Sequence, residues 1–169
     1  MKAVVIYCSN HGTTEKVAGM IAEKLRPAYS VTVINLLELR NPDVSEFELV
    51  VIGGSIHFGT IQKQVKQFCE NNEAVLKNRK IGLFLCCMLD DQKQSEFNNA
   101  FPESLRTHSK ANGCLGGEFL FDQLNFLEKL IVKKVAKTDT TESKIDYEEL
   151  NRFIASLSSP ESSLMNSGE

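Results

Sequence analysis

Residues 2–24, KAVVIYCSNHGTTEKVAGMIAEK, contain the pattern that decides the fold. The apolar, largely β-branched residues 3–7 predict a strand. Small and polar residues occupy positions 9–14, and apolar residues at helical spacing then predict a helix; these are Val17, Met20, Ile21 and Leu25. A strand, a turn and a helix in this order direct backbone N–H groups and the positive end of the helix dipole toward an anion.

The chemistry of the turn indicates which anion it binds. Gly12 permits close approach of the backbone, and the turn has hydroxyl donors at Ser9, Thr13 and Thr14. It lacks the Lys of a nucleoside triphosphate loop and the three glycines of the dinucleotide fingerprint. We therefore predict a site for a single phosphomonoester, neutralised by N–H groups, hydroxyls and His11. The alternative is that Thr13 or Thr14 only caps the helix.

Length and composition indicate one ordinary globular domain. A chain of 169 residues fits a single domain, and a net charge of −3 argues against a nucleic-acid partner. No apolar run approaches the roughly eighteen residues that span a bilayer, and the first strand begins without a signal peptide. We expect a cytoplasmic protein with its domain at residues 1–157 and a disordered, Ser-rich tail at 158–169.

The five cysteines have no C-x-x-C or metal-binding spacing, so we predict no metal site. Most of them fall in or beside predicted strands, which favours buried, unreactive thiols. A redox role stays open only for the adjacent residues Cys86 and Cys87.

Strands and helices alternate along the rest of the chain. Further strands are predicted at residues 30–36, 48–52, 80–88 and 114–120. Helices are predicted after residue 60, at 92–108 with an interruption near Pro102, at 123–136, and from Asp146, where Glu149 completes a capping box. The last helix is expected to bury Tyr147, Leu150, Ile154 and Leu157. This alternation predicts a parallel sheet covered on both faces.

Ligands of such a sheet bind beyond the carboxyl ends of its strands. Three predicted loops meet there, at residues 9–14, 53–60 and 87–91. The glycine-flanked second loop, with Ile56 and Phe58 at its tip, suits a flat aromatic ring. The alternative is that these two side chains pack on the helix that follows.

These loops resemble those of the flavodoxins. Residues 9–14, Ser-Asn-His-Gly-Thr-Thr, are similar to the family's phosphate loop, Thr/Ser-x-Thr-Gly-x-Thr, with His11 in place of the central hydroxyl. The resemblance implies an α/β, flavodoxin-like three-layer sandwich, with a five-stranded parallel sheet of order 2-1-3-4-5 and helices on both faces.

The same resemblance implies FMN as the cofactor. Main-chain groups of residues 56–59 would bond the edge of the flavin, and carboxylates of the third loop would lower its potential. The implied FMN-binding residues are Ser9, Asn10, His11, Gly12, Thr13, Thr14, Ser55, Ile56, His57, Phe58, Gly59, Cys87, Met88, Leu89, Asp90 and Asp91.

A closer likeness is to the menaquinone-dependent protoporphyrinogen oxidases. Residues 54–59, Gly-Ser-Ile-His-Phe-Gly, resemble their small-Ser-Ile-Arg-Tyr-Gly signature, with His57 where the signature has Arg. Residues 128–134 and 138–140 resemble the C-terminal region of that group. Residues 90–112 lack the many Arg and Lys residues that the oxidases carry after the fourth strand.

We therefore expect an FMN-binding redox protein that carries electrons to or from a partner protein. One alternative is an FMN-dependent oxidoreductase of the protoporphyrinogen oxidase type that uses a quinone, with His57 as its proton-transfer residue or merely as a lining residue. A second alternative is a binding module without catalysis. Residues 124–137 are expected to form a core-packed helix with a solvated Lys face, and contact with a membrane surface is the less favoured reading.

Overall fold

A computed structural model of the protein describes residues 1–9, 12–57, 59–87, 92–119 and 142–158. In chain order the elements are β1 (Lys2–Tyr7), α1 (Thr13–Leu25), β2 (Ser30–Asn35), β3 (Leu49–His57), β4 (Thr60–Ile61), α2 (Lys63–Leu76), β5 (Lys80–Cys86), α3 (Lys93–Ala100), α4 (Glu103–His108), β6 (Ala111–Cys114), β7 (Glu118–Phe119), β8 (Glu142–Ser143) and α5 (Tyr147–Ser158).

The main sheet has the strand order β2-β1-β3-β5-β6, and these five strands are all parallel. Counted over the five main strands, this is the predicted order 2-1-3-4-5, which is confirmed. The short β4 pairs antiparallel with the end of β3, and β7 and β8 form a separate antiparallel pair.

Helices cover both faces of the sheet. On one face, alternate strand residues such as Ile6 and Ile52 pack against α2, α3 and α4. On the other face, the intervening residues such as Val5 and Val51 pack against α1 and α5. Burial on both faces explains why the central strands are apolar without alternation. The predicted three-layer sandwich is therefore confirmed.

Two strand boundaries were predicted wrongly at the carboxyl ends. β3 continues to His57, so residues 53–57 of the predicted second loop are strand. β5 ends at Cys86, before the predicted end at Met88. Gly53 lies within β3, and the ring of Phe84 fills the space that a side chain at this position would occupy.

The fifth strand of the sheet lies earlier than predicted, at Ala111–Cys114 rather than at residues 114–120. Small residues occupy this strand because Phe153 of α5 packs directly on it, 3.0 Å from the position of a Cβ at Gly113. Residues with short side chains have low strand propensity, so the sequence pattern did not indicate a strand at these positions.

The ends of the helices follow local signals. Pro102 precedes α4 and separates it from α3, which confirms the predicted interruption. The carboxylate of Asp146 accepts a hydrogen bond from the backbone N–H of Glu149 at 2.9 Å, which confirms the predicted cap of α5. The predicted capping box is wrong, because the Glu149 carboxylate pairs with Arg152 at 2.8 Å and the N–H of Asp146 donates to the carbonyl of Leu115 instead.

The predicted burial of Tyr147 is wrong. Its side chain is 55% exposed, and Phe153 joins Leu150, Ile154 and Leu157 in the buried stripe of α5. Tyr147 is the first residue of the helix, one turn before the first buried residue, Leu150. The predicted helix at 123–136 and residues 159–169 of the predicted tail lie outside the described residues, so the domain limits stay a prediction.

Two Gly→Ala substitutions test the packing, and we expect them to change the free energy of unfolding in opposite directions. A Cβ at Gly53 would lie 2.2 Å from the ring of Phe84, so Gly53→Ala should lower the free energy of unfolding by about 1–3 kcal/mol through overpacking. A Cβ at Gly19, inside α1, meets nothing within 4 Å, so Gly19→Ala should raise it by up to about 1 kcal/mol. Urea denaturation measures both, and equal effects would contradict the packing described for β3 and β5.

Candidate functional site

Hydrogen bonding between parallel strands brings three chain segments to one edge of the sheet. Tyr7 at the end of β1 lies opposite Gly53 of β3, and Ser55 of β3 lies opposite Cys86, the last residue of β5. The backbone N–H of Cys8 also donates to the carbonyl of Gly53 at 3.3 Å. From β1 the sheet extends to β2 on one side and to β3 on the other, so the segments after β1 and β3 lie at the topological switch point.

Hydrogen bonds within the chain hold the turn after β1 in place. The N–H of Gly12 donates to Ser9 Oγ at 3.1 Å, and the carbonyl of Gly12 accepts from the N–H of Lys16 at 2.8 Å. Gly12 has φ 84°, in the left-handed region that favours glycine. The backbone therefore turns into α1 at Gly12. Asn10 and His11 lie outside the described residues.

The helix-capping interpretation of the two threonines is wrong. Gly12 is the N-cap residue, so Thr13 and Thr14 are the first residues inside α1. Both side chains are buried, and Thr14 is only 1% exposed. Thr14 Oγ1 has no hydrogen-bond partner within the part of the chain that the structure describes. Burial of an unpaired hydroxyl costs about 1–3 kcal/mol, which a ligand that accepts its hydrogen bond would recover.

The first-turn carboxylate of α1 bonds to another residue. Burial, the negative charges of Glu15 and Glu38 and hydrogen bonding to the Glu15 carboxylate together raise the pKa of the Tyr7 phenol.

The second segment is a β-hairpin rather than the predicted loop. Ile56 and His57 of β3 pair with Ile61 and Thr60 of β4, and Gly59 in the turn has φ 75°. For Phe58, and for the side chain of His57, the structure gives no described position.

Gln62 locks this hairpin, and sequence reasoning missed it. Its Oε1 accepts from the N–H of Ser55 at 3.1 Å, and its Nε2 donates to Ser55 Oγ at 2.8 Å. Gln62 is also the N-cap residue of α2, where Gln is uncommon because its side chain is a poor cap. Because this N-cap position is known only from the structure, no signal in the sequence alone pointed to Gln62.

The third segment begins with Cys87. Its side chain is buried, and its N–H donates to the carbonyl of Gly116 at 3.1 Å. The remaining predicted residues of this segment, Met88, Leu89, Asp90 and Asp91, lie outside the described residues.

The described groups fit a phosphomonoester. The buried hydroxyl of Thr14 needs an acceptor, and the first N–H groups of any helix, here those that follow Gly12, have no acceptor within the helix. Both kinds of donor suit phosphate at a helix N-terminus. Among the described residues no group of three His, Cys, Asp or Glu side chains could hold a metal ion, and no helix is long and apolar enough to cross a membrane.

Comparison with known proteins agrees with this fold. The chain is 19% identical over 167 residues to protoporphyrinogen IX dehydrogenase (quinone) of Escherichia coli K12, covering 90% of this chain and 92% of that protein. It is 31% identical over 84 residues to the flavodoxin-like domain-containing protein BilS of Clostridioides difficile, covering 50% of this chain and 46% of that protein.

A solved structure shares the whole fold. Oxidised flavodoxin 1 of Bacillus cereus superposes with a TM-score of 0.55 at 20% identity, covering 93% of this chain and 97% of that one. The family model for the flavodoxin domain matches residues 4–146, most of the chain. The chain therefore belongs to the flavodoxin domain family, and its cofactor is FMN.

Proposed function

We propose that this domain is an electron carrier that holds FMN at the edge formed by residues 9–14, 55–59 and 87–91. When bound, FMN supplies one-electron and two-electron transfer, while the protein sets its position and surroundings. The observation that carries the proposal is the hydroxyl of Thr14, which is buried in the first turn of α1 and has no hydrogen-bond partner among the described residues; the turn enters the helix at Gly12, whose φ is positive.

The phosphate group of FMN is proposed to be bound by neutral hydrogen-bond donors. No Lys or Arg lies between Ser9 and Glu15. The hydroxyls of Thr13 and Thr14, with the N–H groups of the first helical turn, would share the charge of the phosphate. Because Ser9 Oγ already accepts from Gly12, its contribution is to fix the turn as well as to face the ligand.

The flavin ring of FMN is proposed to lie against the β3–β4 hairpin. Gln62 bonds both the backbone and the hydroxyl of Ser55, so the hairpin is held before any ligand arrives. Main-chain groups of residues 56–59 can then bond the ring edge from a fixed position, at little cost in ordering.

Replacement of Thr14 tests the phosphate site. Thr14→Val should weaken FMN binding by about 10- to 100-fold, since a hydrogen bond to a charged group contributes about 1.5–3 kcal/mol. The free energy of unfolding of the FMN-free protein should stay equal or rise, because the substitution removes an unpaired buried hydroxyl. Titration calorimetry and urea denaturation measure the two quantities.

Thr32→Val is the matched control, because Thr32 is exposed on the edge strand β2. It should leave FMN affinity unchanged. An FMN affinity that is equal in Thr14→Val and wild type would contradict the proposed phosphate site, and loss of stability without FMN would show that Thr14 has a structural role instead.

Asp90 and Asp91 are proposed to lie near the ring and to disfavour added negative charge there. In the double variant Asp90→Asn, Asp91→Asn, the second one-electron potential should rise, because two like charges are removed. Redox titration followed by absorbance measures both potentials. The matched control replaces Glu23 and Glu46 by Gln, since these lie at the end of α1 and beside Lys2, toward the opposite edge of the sheet. An unchanged potential in the first variant would refute the idea.

A second candidate function is oxidation of a small substrate with a quinone as acceptor. It is supported by the similarity over most of both chains to protoporphyrinogen IX dehydrogenase (quinone), and by the likeness of residues 54–59 to the oxidase signature. In this reading His57 transfers a proton, a role for which imidazole is suited.

Turnover of a porphyrinogen with a soluble quinone separates the two candidates. The electron-carrier proposal predicts no substantial turnover by the FMN-loaded protein. If turnover is found, a loss of at least tenfold in kcat in His57→Gln would support a catalytic His57, and an unchanged kcat would leave it a lining residue. The partner protein or quinone and a cytoplasmic location stay predictions, as does the packing of residues 124–137.

A further inference from the structure

Strand β2 forms one edge of the main sheet, and within the described residues it pairs with β1 alone. The N–H of Ser30 donates to the carbonyl of Met1 at 2.9 Å, and the N–H of Leu36 donates to the carbonyl of Tyr7 at 2.8 Å. Backbone groups of successive strand residues point to opposite sides of the strand, so the even-numbered residues of β2 bond to β1. The odd-numbered residues therefore direct their backbone groups away from the sheet.

The outward backbone groups belong to Val31, Val33 and Asn35. The carbonyl of Asn35 already accepts from the N–H groups of Glu38 and Leu39, both at 3.0 Å, in the turn after the strand. Natural edge strands are usually blocked by charged side chains or by proline. Strand β2 reads Ser-Val-Thr-Val-Ile-Asn and contains neither. A second extended segment can therefore pair with this edge.

Exposed apolar side chains concentrate at the same edge. Of the five large hydrophobic residues that are exposed in the described part of the chain, three belong to β2 or to the turn that follows it. They are Val33, Leu37 and Leu39, which are 40%, 42% and 51% exposed. A cluster of exposed apolar side chains marks a surface for contact with another protein.

We propose that two copies of this chain form a dimer in which the β2 strands pair antiparallel, with Val33 on the two-fold axis. Identical strands related by such an axis present the same surface to each other, as most homodimers do. Each Val33 then exchanges two hydrogen bonds with its counterpart, and the N–H of Asn35 donates to the carbonyl of the partner's Val31. The two parallel sheets join into one, and the edges proposed to bind FMN face opposite directions, so both stay open.

The charges on α1 are complementary in this arrangement. Helix α1 lies over β1 and β2, and Glu15, Gly19 and Arg26 follow one another along its side toward β2. The two-fold axis reverses the second helix, so the exposed Glu15 in the first turn of one copy approaches the exposed Arg26 at the end of the other. Arg26 also pairs with Glu23 at 3.4 Å, which holds the guanidinium at this end of the helix. Opposite charges therefore meet twice across the axis.

The turns at the two ends of β2 add apolar contacts. In an antiparallel pair, the turn after β2 of one copy lies beside the turn before β2 of the other. The first turn carries Leu37 and Leu39, and the second carries Pro27 and Ala28, all of them exposed in the single chain. Their contact removes apolar surface from water, which stabilises the dimer.

Sedimentation velocity of the purified full chain over a range of micromolar concentrations tests the proposal, and a dimer is expected. Val33→Lys places two like charges opposite each other on the axis, so it should raise the Kd of the dimer by about tenfold or more. Tyr147→Lys is the matched control, because Tyr147 is 55% exposed at the start of α5, away from β2. It makes the same change of charge and should leave the Kd unchanged.

Disulfide trapping tests the register. Residues directly opposite in a hydrogen-bonded antiparallel pair have Cα atoms about 5.5 Å apart, which is within the range of a disulfide. Air oxidation should therefore link two copies of Val33→Cys into a dimer that dithiothreitol separates, as seen by non-reducing electrophoresis. Thr32→Cys is the control, because Thr32 is also exposed on β2 but is offset from its own copy along the strands. It should not link.

A wild-type chain that sediments as a monomer at every concentration would overturn the proposal. So would a dimer that Val33→Lys leaves intact, or linking of Thr32→Cys that is as efficient as that of Val33→Cys. The wild-type sedimentation decides the first point whether or not a variant folds. Because none of these measurements requires bound FMN, failure of the dimer would leave the proposed FMN site untouched.

Discussion

The parallel hydrogen bonding of β1 with β3 is the constraint on which the rest of the site depends. It places Tyr7 level with Gly53, so the segments that follow the two strands leave the sheet at the same edge. After β1 the chain enters α1, and after β3 it forms the β3–β4 hairpin. A shift in the register between β1 and β3 would disrupt both arrangements. A slip of one residue would also exchange the side chains of two buried faces, which is why the register is strongly specified.

The site is built mainly from main-chain groups and neutral side chains. Gly12 turns the backbone into α1, Thr13 and Thr14 are buried in its first turn, and Gln62 fixes Ser55. Glu15, the carboxylate nearest to the start of the helix, helps to raise the pKa of Tyr7. A site of this kind attracts a phosphate through the dipoles of N–H and hydroxyl groups rather than through a Lys or Arg side chain. The chain as a whole carries a net charge of −3.

Much of the fold could be predicted because local and global signals agree. The β-branched first strand, the interruption at Pro102 and the cap at Asp146 are each short-range effects that tertiary packing leaves in place. The strand β6 and the hairpin could not be predicted, because each depends on side-chain contacts that form only in the folded chain. The packing of Phe153 on Gly113 and the hydrogen bonds of Gln62 to Ser55 produce no periodicity that a sequence pattern records.

The central claim is that this edge binds FMN, and a visible absorption spectrum tests it most directly. The purified chain is recorded before and after FMN is added and the excess is removed by gel filtration. The account predicts flavin absorption bands that stay with the protein at about one FMN per chain. A colourless protein that cannot be reconstituted would contradict it, and the replacement of the usual loop hydroxyl by His11 would then be the first cause to examine.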